Sequence, residues 1–105
     1  MIFGNKKSMN PSGNQNFWSD GTVQSKSDNQ IFENGSMSTT SKNAMWTKNS
    51  TVTYSGNTFW SSDGTYTRSG NTLYGSNGQV WTGITSDSDV LSIISHNLNG
   101  RQNGR

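Results

Sequence analysis

Apolar and polar positions repeat every fourteen residues along this chain, beginning at Gly13 and continuing through five copies. The two best-matched copies are residues 55–68 and 69–82, and every copy carries two neighbouring large apolar residues at the same place. These pairs are Phe17-Trp18, Ile31-Phe32, Met45-Trp46, Phe59-Trp60 and Leu73-Tyr74. A fixed period this short is typical of β-repeat architectures, because a pair of helices needs a longer unit.

Each repeat divides into two units of seven residues, and each unit predicts a turn of about three residues followed by a strand of about four. The strand positions are rich in Thr, Val, Tyr, Trp and Phe, which favour pleated sheets. Asp63-Gly64 and Asn77-Gly78 have the composition of type I′ hairpin turns, while Gly56-Asn57 and Gly70-Asn71 have the glycine first, as type II′ turns require. We therefore predict an all-β fold, an antiparallel meander of about ten short strands within residues 13–85.

The sixth position of successive seven-residue units alternates between large and small side chains, so one face of the sheet should carry an aromatic row. The fifth position, on the opposite face, is also largely apolar. The row is predicted either to be the core beneath a covering helix or to be a binding face. Its members are Trp18, Phe32, Trp46, Trp60, Tyr74 and Trp81.

A two-strand β-solenoid is the alternative architecture, since it would stack the recurring asparagines into a ladder. Hairpin loops at both ends of each unit favour the meander, and the inner face of a solenoid would have to accommodate Gln24 and Ser38. A cross-β fibril is a further alternative, because short uncharged Asn-, Ser- and Tyr-rich strands stack readily.

The repeat stops after Thr82, and residues 86–99 predict a C-terminal helix. Either Ser86 and Asp89 form a capping pair or Ser88 is the cap, and Asn99-Gly100 is a stop signal. One face of the helix is apolar and is predicted to pack on the sheet or to join two copies of the chain. This candidate oligomerisation face consists of Val90, Leu91, Ile94 and Leu98.

Charge is nearly balanced, with a formal net charge of +2, and the four acids and four bases within residues 13–82 cancel. The surplus lies in a flexible N-terminal arm, residues 1–12, and in a basic tail, residues 100–105. The candidate electrostatic residues there are Lys6, Lys7, Arg101 and Arg105. A nucleic-acid platform would carry its cations on the sheet itself, so we expect nucleic-acid binding to be weak and confined to the tails.

Residues for catalysis are scarce, and we expect no enzyme activity, no cofactor and no metal site. The chain has no cysteine, no clustered ligands of metal-site type and no phosphate-binding glycine motif. The single histidine, His96, lies off the apolar face of the predicted helix and is expected to be solvated.

The segment SDGTYTRSGNTLYG, Ser62–Gly75, resembles a repeat of small bacterial proteins that alternate SDGTxY and GNTxYG segments. The resemblance covers residues 41–82 well and residues 13–40 loosely. It implies a β-repeat architecture and a bacterial or phage origin, and it assigns no functional residue.

These observations predict a non-catalytic module that binds a partner protein by occlusion, by analogy with phage or mobile-element inhibitors of host defence such as anti-CRISPR proteins. Alternatives are a self-assembling structural or surface protein and a weak binder of single-stranded nucleic acid that uses the aromatic row. A homodimer is expected because one short helix cannot cover both faces of ten strands. No segment reaches transmembrane length, so we expect a cytoplasmic protein without membrane contact, or a secreted one if a leader was removed.

Overall fold

The computed structural model describes residues 1–4, 7–33, 35–48, 50–76 and 78–103, with side chains up to residue 98. Twelve strands are followed by one helix, α1, Asp87–Asn103. The first six strands are β1 (Ile2–Phe3), β2 (Ser8–Ser12), β3 (Gln15–Trp18), β4 (Val23–Ser27), β5 (Gln30–Glu33) and β6 (Ser36–Thr40). The others are β7 (Ala44–Trp46), β8 (Thr51–Ser55), β9 (Thr58–Ser61), β10 (Gly64–Ser69), β11 (Thr72–Gly75) and β12 (Val80–Thr82).

The strands form a closed antiparallel barrel in which each strand pairs with its neighbours in the chain. Pairing of Phe3 with Thr82 joins β1 to β12 and closes the ring. The prediction of a mainly β fold built as an antiparallel meander is confirmed, with twelve strands in place of about ten. Consecutive strands do not stack as the parallel layers of a solenoid would, and closure leaves the barrel without free sheet edges.

Residues 1–12 were predicted to be a flexible arm, and the structure shows this to be wrong. Both β1 and β2 belong to this segment and complete the barrel between β12 and β3. Ile2 and Met9 are fully buried there, opposite one another. A signal was present in the sequence, because the Gly13-Asn14 loop between β2 and β3 has the same composition as the loop at Gly56.

The turn predictions are confirmed at two hairpins and wrong at one. Gly56-Asn57 and Gly70-Asn71 are two-residue loops whose glycines have φ of 61° and 60°, the left-handed values that type II′ turns require. At the hairpin between β9 and β10, the loop residues are Ser62 and Asp63, and Gly64 lies within β10. Asn77 of the predicted Asn77-Gly78 turn lies outside the described residues.

Helix α1 lies inside the barrel. Every residue from Asp89 to His96 is buried, so all faces of the helix are covered, and a helix buried on all sides must be surrounded by other elements. The sequence predicted that the helix would lie on one sheet face and end near Asn99. Instead the sheet wraps around the helix, which continues to Asn103.

The core consists of the inward side chains of the strands together with the apolar residues of α1. The fifth-position residues of the repeat supply most of the barrel's share, including Val52, Phe59 and Leu73, each with no exposed surface. Ile93 and Ile94 of α1 are likewise fully buried. The helix therefore fills the lumen, as side chains alone do in narrower barrels.

Candidate functional site

The outward-facing side chains of β1 to β12, here called the outer wall, include no charged residue. Strand alternation places every second side chain outside. Three strand residues are charged, namely Lys26, Glu33 and Arg68, and each pairs with a residue whose side chain is buried, so all three face inward. The outer wall is built from Ser, Thr, Asn, Gln, Ala and large apolar residues. A strand surface without lysine or glutamate is unusual, because charged side chains normally protect sheets from association.

Four large aromatic side chains of the outer wall, here called the outer rings, are substantially exposed. Phe32 is 39% exposed, Trp46 48%, Trp60 46% and Tyr74 50%. These four residues of the predicted aromatic row therefore do not form the core, and their position agrees with the alternative of a binding face. They lie on β5, β7, β9 and β11, every second strand along half of the barrel.

Hydroxyl-bearing residues flank the outer rings across the strand pairs. Trp46 pairs with Thr39 on one side and Thr51 on the other. Trp60 is flanked in the same way by Thr53 and Thr65. Phe32 has Ser25 on one side, and Tyr74 has Thr67. Each tryptophan ring of this set is thus an apolar surface between two hydroxyl groups.

The outer rings are staggered along the barrel axis and do not lie at one height. Trp60 pairs with the sixth-position Thr53 as the repeat predicted, but on its other side it pairs with Thr65 and not with the sixth-position Thr67. The same two-residue shift recurs at Trp46. Such stagger accompanies the strand tilt that closes a barrel. Neighbouring rings are two strands apart, roughly 10 Å across the sheet.

Trp18 and Trp81, the ends of the predicted aromatic row, are inside the barrel. They are 5% and 3% exposed, and their rings meet edge to face with centroids 5.7 Å apart. Five residues lie between paired Phe17 and Val23, and five between paired Tyr74 and Val80, whereas the hairpin at Gly56 has two. A connection with an odd number of residues shifts the side-chain alternation by one position relative to a two-residue loop. The sixth-position residue therefore points outward on β5, β7, β9 and β11 but inward on β3 and β12.

A buried polar network joins α1 to β3, β4 and β5. The Trp18 indole N–H donates to Gln24 Oε1 at 2.8 Å, and the Gln24 amide donates to Glu33 Oε1 at 2.9 Å and to the Ser92 carbonyl oxygen at 3.0 Å. Asn16 Nδ2 donates to Gln24 Oε1 and to Ser92 Oγ. Between β6 and α1, the Ser38 and Ser95 hydroxyls form a further bond of 3.0 Å. These bonds fix the helix in rotation and depth, because buried polar atoms must keep their partners.

His96 was expected to be solvated, and the structure shows instead that it is 5% exposed and joined to this network through Glu33. Its Nδ1 lies 2.9 Å from Glu33 Oε2 and its Nε2 lies 2.8 Å from Asp20 Oδ2. The ring stacks on Trp18 with centroids 4.0 Å apart. Each ring nitrogen is engaged by a carboxylate, so neither is free to activate a nucleophile. The arrangement is that of a structural hydrogen-bonded cluster.

Asp20 is the solvent-side member of the cluster. Partial burial alone would raise the pKa of its carboxyl, but hydrogen bonds from the backbone and side chain of Thr22, from His96 and from Lys7 outweigh burial and hold the pKa well below its usual range. Lys7, predicted to be a mobile electrostatic residue, lies 3.2 Å from Asp20. Lys6 and Arg105 lie outside the described residues, as does the side chain of Arg101.

The candidate oligomerisation face of the helix is not at the surface. Val90, Leu91, Ile94 and Leu98 are between 0% and 5% exposed and belong to the core. A contact between two copies through this face is therefore incompatible with the closed barrel.

A shallow cleft of about 290 Å³ lies where the N-terminus of α1 meets one end of the barrel. Its floor includes the buried residues Ile31 and Leu91, and its rim carries Lys26, Lys42 and Asp87. Asp87 is paired with Arg68 at 2.9 Å. Sequence reasoning did not identify this cleft, because it depends on the helix entering the lumen.

Comparison with known proteins returned no matching family model, no matching curated protein and no matching solved structure. The part of the chain that the structure describes contains no group of three His, Asp or Glu side chains arranged to hold a metal ion. Within the same residues, no helix has the length and apolar character that crossing a membrane requires.

Proposed function

We propose that this protein is a non-catalytic binding module and that the outer wall, with its outer rings, is the binding surface. The observation that supports this most directly is the exposure of Phe32, Trp46, Trp60 and Tyr74 on a wall without charge. Exposed Trp and Tyr side chains that recur on one uncharged face support an interaction site, because these residue types are enriched where proteins bind partners.

The uncharged wall limits the kind of ligand. A charged ligand would lose hydration on binding and would find no opposite charge on the strands. This disfavours the single-stranded nucleic acid that the sequence offered as an alternative, because phosphate contacts supply most of such affinity. A protein partner, the prediction from sequence, stays a candidate because exposed Trp and Tyr are the side chains most enriched in interaction hot spots.

The predicted homodimer stays a proposal, with a different contact surface. Helix α1 is enclosed, so two copies would meet through other surfaces, of which the outer wall carries the exposed apolar residues. In a symmetric dimer, the same surface of each copy contacts its counterpart. Because the outer wall carries no charge, such a contact would involve no repulsion between like charges. The proposal that the protein inhibits host defence is an analogy with small phage proteins.

The binding-surface proposal is tested with a double variant, Trp46→Ala with Trp60→Ala, because both side chains lie outside the core. The purified variant and wild type are screened in parallel against displayed peptides, soluble polysaccharides and single-stranded oligonucleotides. We expect wild type to bind members of one class and the double variant to lose that binding while keeping its unfolding midpoint close to the wild-type value. Binding of any class that is unaffected by the double variant would place the site elsewhere.

A further inference from the structure

We infer that the ligand of the outer wall is a neutral polysaccharide, held by stacking of sugar rings on the outer rings and by hydrogen bonds to the flanking threonines. This inference rests on the proposed function and specifies the ligand of the same surface. Three features of the wall carry it: the absence of charge, the bracketing of each tryptophan by hydroxyls, and the regular spacing of the rings.

The bracketing distinguishes a sugar ligand from an apolar one. A sugar ring presents C–H groups on its faces and hydroxyl groups around its edge. Trp60, with Thr53 and Thr65 directly opposite it on the two neighbouring strands, presents the complementary arrangement of an aromatic face between two hydroxyls. Each threonine hydroxyl can both donate and accept a hydrogen bond, as sugar hydroxyls do. Trp46 repeats the arrangement with Thr39 and Thr51.

The absence of charge indicates that the polysaccharide is neutral. Uronic acid or sulfate groups would lie against Ser, Thr and Gln side chains with no lysine or arginine on the strands of the wall to pair with them. The charged strand residues Lys26, Glu33 and Arg68 all face inward and cannot reach such groups across the sheet.

The spacing indicates a flexible polymer. Neighbouring outer rings are two of the twelve strands apart, a sixth of the way around the barrel, and the molecule measures 30 × 30 × 25 Å. A rigid flat surface can therefore contact only about two rings, whereas a flexible chain can follow the curve and engage them in turn. Linked weak contacts of this kind raise the overall affinity as the chain becomes long enough to span successive sites.

The deciding experiment replaces the threonine hydroxyls beside Trp60 with methyl groups and keeps the shape of the side chains. Thr53→Val with Thr65→Val removes both hydroxyls beside Trp60 with little change in volume and suits a strand. Tryptophan emission is titrated with dextran, hydroxyethyl cellulose and xyloglucan, and with the charged polymer carboxymethyl cellulose. We expect at least one neutral polymer to bind, carboxymethyl cellulose to bind more weakly than hydroxyethyl cellulose, and the valine variant to lose about tenfold in affinity, as the loss of two hydrogen bonds implies.

Two further variants test whether binding is specific to the outer rings or is a non-specific property of exposed apolar side chains. Trp60→Ala should reduce polysaccharide affinity by about tenfold or more, as removal of a stacking ring implies. Phe17→Ala removes an exposed outer-wall ring that is flanked by Asn10 and Val23 instead of two threonines, and it should leave the affinity within about twofold of wild type.

The outcomes separate this inference from the proposed function. If no neutral polysaccharide binds, but a peptide or a second copy of the chain does so in a manner that needs Trp46 and Trp60, the outer wall is a binding surface and the polysaccharide inference is wrong. Equal or stronger binding by the valine variant would also overturn it, because an apolar ligand gains from the exchange. If polysaccharide binding persists without both tryptophans, the inference and the proposed surface fail together.

Discussion

His96, at the residue scale, is tolerated in the core because its polar atoms have partners. Glu33 and Asp20 engage the two ring nitrogens, and Trp18 covers one face of the ring. Glu33 is 4% exposed, so removal of the imidazole would leave its carboxylate buried and without the partner at Oε2. Breaking a buried pair from one side is costly for this reason, whereas removing both members costs less.

We predict that His96→Ala lowers the free energy of unfolding by about 3–5 kcal/mol. The double variant His96→Ala with Glu33→Gln should recover part of that loss, because no buried charge is then left without a partner. Urea unfolding of wild type, both single variants and the double variant measures the coupling between the two sites. A single-variant loss below about 1 kcal/mol would show that the cluster contributes little to stability.

Asp20 predicts a dependence of stability on acid pH. Because the folded-state pKa of its carboxyl is lowered, the contribution of Asp20 is fully present above the ordinary aspartate pKa of about 3.9 and is lost as the pH falls toward the lowered folded-state value. In urea midpoints measured from pH 7 down to about pH 3, the difference between wild type and Asp20→Asn should therefore begin to shrink below about pH 4. A constant difference between the two proteins across this range would contradict the assignment.

At the scale of the elements, several hairpin loops share one backbone conformation although their residues differ. The first loop position has a left-handed φ at Gly13, Gly56 and Gly70, with values of 59°, 61° and 60°. Asp28 occupies the equivalent place between β4 and β5 with φ of 51°, as the one residue other than glycine with positive φ among those described. Aspartate tolerates this conformation better than most residues, yet glycine adopts it without steric cost.

These loops give a matched pair of substitutions. Gly56→Ala should destabilise the fold by about 1–2 kcal/mol, because a Cβ in the left-handed region is strained. Asp28→Gly should be neutral or stabilising by less than about 1 kcal/mol, because it relieves strain but adds freedom to the unfolded chain. Thermal unfolding of both variants beside wild type measures the contrast. Similar losses in the two variants would mean that loop conformation is not what decides their stability.

Closure of the barrel, at the scale of the whole molecule, explains how one helix suffices for a sheet of twelve strands. An open sheet with two apolar faces would need covering on both sides, which is why the sequence predicted a dimer. Rolling the sheet encloses one face and buries the helix from all directions. The outer face then carries the remaining large apolar residues, and its four outer rings are among those left in contact with water.

The N-terminal strands make closure testable. Deletion of residues 1–12 should remove β1 and β2, expose the edges of β3 and β12 and take the buried residues Ile2 and Met9 from the core. We expect the shortened chain to lose its cooperative thermal transition and to associate, because unpaired strand edges recruit other strands. Circular dichroism during heating and light scattering report the two effects. A monomeric chain with an unchanged transition would show that the segment is a dispensable arm.

The sequence by itself determined the strand period, the antiparallel meander and the all-β class, because alternation and turn chemistry are local properties recorded in each repeat. Strands β3 to β12 lie where the seven-residue units predicted them. The outward position of Trp46 and Trp60 follows from the same alternation once inside and outside are known, but the sequence could not assign which apolar row faces inward. Both rows are apolar, and the charged strand residues Lys26, Glu33 and Arg68 lie on the face of the row that is buried, where charge would not be expected.

The tertiary structure decided the rest. Closure depends on strand tilt and stagger accumulated over twelve strands, which no single repeat encodes. The inward turn of Trp18 and Trp81 depends on two five-residue connections. Burial of His96 depends on partners far away in the chain, since Glu33 and Asp20 precede it by 63 and 76 residues. The sequence contains one indication of the enclosed helix, because Ile93 lies off the predicted apolar face. A helix that is apolar beyond one face is suited to a lumen that covers it from every side.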